Sequence, residues 1–311
     1  LDVRFPFRPW QVASFLVLTC ALAIGLVEWS RQRRDRSEQA LLLRLPDQDE
    51  GVHLYLNVKG LRASGLLELI AGSRAAEETE YKRFVEETAF DYREDLDAIL
   101  ASFRDERSSF LLRGRFRWEQ IRSYAAANDA TCVNGFCRLE TSRPGRWVSL
   151  YMVFPDVMSI AFSNSGWAAT ATMQQRQEPP DYFIPPQPFW IRLPSRVLSS
   201  EVSLPAGARI FGSTLKAARR VTFGVGASDG RFQIEMTAIF PAKSDAAQAR
   251  QHLEQMTGYL KKMIAQERAQ PSVRDLSGVL IRGKFEQQDR RVVGQWPVER
   301  DFLNALAEGN L

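Results

Sequence analysis

The chain has 311 residues, 45% of them apolar and 25% charged, which excludes collagen-like, low-complexity and disordered chains. A formal charge of +4 is too small to argue for nucleic acid, and two histidines with three cysteines leave little material for a transition-metal site.

After a short tail (residues 1–8), residues 9–29 begin with nineteen uncharged positions, Pro9 to Val27, apolar on every side. At helical rise these span roughly 28 Å, the thickness of a hydrocarbon core. Trp10 and Trp29 flank the run, and Arg31, Arg33 and Arg34 follow it, the residue types that settle at a membrane interface. No small-x-small cleavage site follows, so the segment is expected to stay as a signal-anchor and single-pass transmembrane helix. The arginine count favours a cytoplasmic C-terminal part, whereas the short tail and a paired-cysteine motif favour the exported, periplasmic side; the second is the expectation adopted.

Residues 30–50 read as a polar stalk, and residues 51–177 as a first α+β half. Val52–Val58 is apolar at every second position and predicts a strand, with His53 on the face opposite Val52 and Leu54. Helical stretches follow from Gly60 and over Glu77–Thr88. Ile99–Phe103 and Ser109–Phe116 form a hairpin over Asp105-Glu106, and residues 117–127 form a helix. Strands follow at Phe136–Thr141, Trp147–Phe154 and Val157–Phe162, then a short helix over Gly166–Met173.

Residues 178–188 hold five prolines, which no helix or central strand tolerates, and are read as a linker. The second half, 189–311, restarts the order of elements. It has a strand at Phe189–Leu193, a hairpin of Val221–Val225 with Arg231–Phe240, and a helix over 244–268 striped by Ala249, Leu253, Met256, Leu260 and Met263. A second hairpin, Val279–Phe285 with Arg290–Trp296, and a helix over Glu299–Ala307 complete it. The expected class is α+β: one transmembrane helix, then antiparallel hairpins backed by helices, in an order (β-α-ββ-α-ββ-α) consistent with two similar halves.

Gly278 to Lys284 has phosphate-loop spacing, but Phe285 stands where a hydroxyl is needed and Val-Leu-Ile reads as strand. Gly224-Val-Gly226 leads into a strand rather than a helix. Neither His53 nor His252 has a visible catalytic partner, so no catalytic, cofactor or metal residue is assigned.

Two features remain. Cys132 and Cys137 flank Asn134-Gly135, a tight-turn pair, and are expected to form a structural disulfide across a hairpin neck. Glu77, Glu78, Glu80, Glu86, Glu87, Asp91, Glu94, Asp95 and Asp97 outnumber Lys82, Arg83 and Arg93, a local negative charge that could dock a basic partner. The expected function is that of a non-catalytic accessory or scaffolding subunit of a larger membrane complex, with an energy-converting complex and electron transport as its setting. Its partners would be envelope proteins and, through residues 10–29, the bilayer. The alternatives are a membrane-tethered hydrolase using paired carboxylates and a carrier of an apolar ligand.

Overall fold

A computed structural model describes residues 37–63, 67, 79–176, 183–198, 212–228, 231–266, 276–299 and 302. The expected anchor with Trp10, Trp29, Arg31, Arg33 and Arg34 lies outside these residues, as do Glu77, Glu78 and most of Glu299–Ala307. Among the described residues no helix is long and apolar enough to cross a membrane.

The class is α+β, antiparallel sheet with helices. In chain order the elements begin with α1 (Glu38–Leu42), β1 (Val52–Leu56), α2 (Val58–Ala63), α3 (Thr79–Thr88) and α4 (Tyr92–Asp95). Next come β2 (Leu96–Arg104), β3 (Arg107–Gly114), α5 (Trp118–Ala127), β4 (Thr131–Val133), β5 (Phe136–Glu140), β6 (Trp147–Phe154) and β7 (Val157–Ser163). After a 3-10 turn (Ala168–Met173) follow β8 (Phe189–Pro194), α6 (Ser195–Leu198), β9 (Arg220–Ser228), β10 (Arg231–Ile239), α7 (Lys243–Gln266), α8 (Leu276–Leu280), β11 (Lys284–Gln288) and β12 (Arg291–Val298).

All twelve strands form one sheet, ordered β11-β12-β10-β9-β8-β1-β2-β3-β7-β6-β5-β4. Its seam is the antiparallel pair β1–β8, in which His53 lies opposite Arg192 and Tyr55 opposite Trp190. Outward from that seam the order is β1-β2-β3-β7-β6 followed by β5-β4 on one side and β8-β9-β10-β12-β11 on the other. Alternation along each strand sends successive side chains to opposite faces. Leu56, Ile99 and Leu112 point to the face covered by α2 and α3, where Val58, Leu61 and Phe90 pack. Phe223, Ile234 and Met236 point the same way in the other half, under Ala246, Ala249 and Leu253 of α7. The main helices therefore share one face.

The opposite face carries the seam cluster of Tyr55 and Trp190 with Leu41, Leu42 and Leu45 laid over it. This corrects the stalk: residues 37–48 form a capped helix and a turn inserted into the core. Ser37 accepts a hydrogen bond from the Ala40 N–H as N-cap, and Gln48 donates to the carbonyls of Leu42 and Leu45. The leucines outweigh their polar flanks because burying each one is worth about 2 kcal/mol.

Three further expectations change. His53, expected in a surface or half-buried structural role, is fully buried at 1% exposure, because the Tyr55 face of β1, not the Val52 face, meets α1. Val279–Phe285 is not a strand: α8 ends at Leu280 and β11 starts at Lys284. On α7 the buried stripe runs Ala246, Ala249, Leu253 and Thr257, which leaves Met263 exposed. Gly224 and Gly226 lie in the β9–β10 hairpin as expected.

Candidate interaction surface

The free end of the sheet on the β4 side is built by a turn and a disulfide. Asn134 (φ 48°) and Gly135 (φ 77°) both adopt left-handed backbone, the requirement of a two-residue hairpin turn. The turn brings Cys132 opposite Cys137, and the two are bonded. β4 has only three residues, too few to signal a strand by alternation, so sequence reasoning missed it. Its place is held by the covalent link.

Next to this neck, Phe136 and Arg138 of β5 and Trp147 and Tyr151 of β6 point to the face away from the main helices. The 3-10 turn folds onto that face through buried serines. Ser149 accepts a hydrogen bond from the Ala169 N–H at 3.0 Å, and Ser159 donates to the Ala169 carbonyl at 3.0 Å. Thr172 donates to the same carbonyl. With Ala169 fixed from two strands, Trp167 is set over Phe136, its ring 4.7 Å away and tilted by 11°. The Arg138 guanidinium lies between two indoles, 5.0 Å from Trp167 and 5.5 Å from Trp147. Gly166 permits this approach, since a methyl there would stand 3.2 Å from the Trp147 ring and 3.3 Å from the Arg138 side chain.

The result is an apolar and cationic platform. Trp167 is 56% exposed and Val133 is 59% exposed, yet Trp167 is held by ring stacking below and a guanidinium beside it. Here an exposed tryptophan and a half-buried arginine have little freedom left to lose, and these are side chains that dominate protein contacts. Sequence reading passed over the platform because its members come from two strands and a turn. The one signal was Gly166-Trp167, an aromatic residue in an otherwise small and polar stretch.

The residues singled out in the sequence have mixed fates. In the acidic stretch, Glu80, Glu86, Glu87 and Glu94 are exposed on the helix side of the molecule. The stretch is less anionic than its composition, because three acids hold local cations. Glu87 pairs with Arg83, Asp91 with Arg93, and Asp95 with Arg115. Burial raises the Asp91 carboxyl, but hydrogen bonds from Arg93 and Tyr81 outweigh it and hold the group below its usual range. Burial, and then donation to Asp91, pushes the Tyr81 phenol up. These two groups build the α3–α4 junction. His252 is exposed on α7 beside Leu253. His53 donates to or accepts nothing at Nδ1, while Nε2 lies 3.2 Å from the Pro46 carbonyl. Among the described residues no three His, Cys, Asp or Glu side chains converge as metal ligands.

No family model and no curated protein matches the chain. Among solved structures it is similar to crystal forms of TP0453. Form III has a TM-score of 0.47 at 11% identity, covering 86% of this chain and 97% of that one. Form I has a TM-score of 0.43 at 12% identity, covering 87% and 97%.

Proposed function

We propose that the chain is a non-catalytic, membrane-anchored accessory subunit that docks on other envelope proteins of a larger complex. Residues 10–29 form its transmembrane helix, the remainder faces the periplasm, and an energy-converting complex is the host. The reading of the sheet as two similar halves, β-α-ββ-α-ββ-α, belongs to the same proposal and is supported by the matching strand order on either side of the β1–β8 seam. The observation that carries the docking role is the Trp167 platform, a preorganised aromatic surface fixed by Ser149, Ser159 and Phe136. The Cys132–Cys137 bond supports the exported orientation, since such bonds persist in oxidising compartments.

The test is affinity purification from gently solubilised membranes. Trp167→Ala should lose the co-purifying partners while the variant keeps its melting temperature, because the indole is more than half exposed. Retention of the same partners by Trp167→Ala would place the contact elsewhere.

A further inference from the structure

Residues 183–188, the described part of the proline-rich segment, lie across the sheet face opposite the main helices. The Phe183 carbonyl accepts from Arg192 at 2.6 Å, and the Pro188 carbonyl accepts from the Asn57 N–H at 2.7 Å, so residues 183–188 are tied at both ends. Between these ties the strap passes over β9, where Gly224 and Gly226 form a bare floor. A methyl at Gly224 would stand 2.9 Å from Gln187 Oε1, and one at Gly226 would stand 3.2 Å from the Gln187 side chain.

Beside the strap opens a cleft of about 350 Å³ lined by Pro186, Gln187, Pro188, Gly226, Gln233, Glu235 and Gln295. Gln233 and Glu235 lie on β10 opposite Gly226 and Gly224, and Gln295 lies on β12 opposite Glu235. None of the seven lining residues carries a positive charge. The cleft therefore offers one carboxylate, which only accepts, beside the Gln233 and Gln295 amides, which can turn their oxygens to a donor. Gln187 Oε1 is buried and has no hydrogen-bond partner. Among the described residues none pairs with the Glu235 carboxylate. A buried acceptor without a donor costs about 1–3 kcal/mol, and a carboxylate in a partly enclosed site favours a cation.

We propose that this cleft binds a primary ammonium group. Such a group has three donors and no acceptor, the complement of a carboxylate flanked by amides that can present their oxygens. Its charge would meet Glu235, its N–H groups would reach the Gln233 and Gln295 oxygens, and its methylene stem would lie on the proline and glycine surfaces. An anion is excluded by Glu235, and an apolar ligand would leave the amides unpaired. The ammonium can come from a free diamine or from a lysine side chain. Either source uses the same chemistry.

Calorimetric titration of the full chain in detergent tests this with cadaverine, with N-acetyl-lysine methylamide, and with 1,5-pentanediol as the neutral control. One or both ammonium probes should bind and the diol should not. Glu235→Gln should weaken binding at least tenfold and Gln295→Ala severalfold, both with unchanged melting temperature. Tighter binding of cadaverine points to a free diamine, and tighter binding of the lysine derivative to a lysine-bearing chain. No binding of either ammonium probe, equal binding of the diol, or unchanged affinity in Glu235→Gln would overturn the proposal.

Discussion

His53 and Arg192 face each other across the β1–β8 seam, 1% and 2% exposed. The imidazole is thereby kept neutral. Burial first, and then the Arg192 charge, bring its pKa down to about 4, against the upward pull of its contact with the Pro46 carbonyl.

The seam makes stability pH-dependent in a defined window. The folded-state value lies below the unfolded one of 6.5, so between them the unfolded chain binds a proton that the folded chain refuses. Stability is unaffected by His53 above the unfolded value, falls as pH drops towards the folded value, and is then constant. The total loss should be about 3 kcal/mol. Denaturant titrations across this range should show the fall, and His53→Gln should flatten it.

Replacing both Cys132 and Cys137 by serine should lower stability by about 2 kcal/mol, the value expected for so short a ring. Reduction of the wild-type chain should do the same. The accompanying sign is local: β4 should lose amide-exchange protection before the other strands.

Ser149→Ala should cost about 1 kcal/mol, because the buried Ala169 N–H loses its acceptor. Ser159→Ala removes a donor to the Ala169 carbonyl, which keeps Thr172, and should cost less. Tryptophan fluorescence should show looser burial on the Phe136 side of Trp167 in the first variant.

Gly224→Ala should destabilise by about 1–3 kcal/mol, since the added methyl stands 2.9 Å from Gln187 Oε1 under a strap tied at both ends. Gln187→Ala should restore most of the loss. Thermal unfolding of the single and double variants measures it.

The acidic stretch separates docking from folding. Reversal of Glu86, for which no described ion pair exists, should leave stability within about 0.5 kcal/mol. Reversal of Asp95 should destabilise by about 1 kcal/mol or more, because its carboxylate accepts from Arg115 and from the Asp91 N–H. If both weaken capture of a basic partner but only Asp95 shifts the melting curve, docking and folding are distinct.

Local order was the legible part of this fold. Trp147–Phe154 and residues 117–127 were recognisable because alternation and helical spacing are written in neighbouring residues. Val279–Leu280 misled for the same reason: a short apolar run between glycines satisfies a strand or a helix, and packing against Phe285 and Trp296 decides. His53 misled because both faces of β1 are covered, so apolar alternation no longer marks the inner side. The platform and the cleft were out of reach. Each joins residues that only the strand order brings together, and strand order is set by pairings far apart in sequence.

β1 is the sixth strand of twelve and follows directly on the buried helix α1. A pull on the chain ahead of Ser37 therefore enters the domain at its middle. To yield, the molecule must first draw Leu41, Leu42 and Leu45 out of the seam cluster, then shear the β1 ladders to β2 and β8 together. A tether attached there loads the centre of the body, while both outer edges of the sheet stay slack.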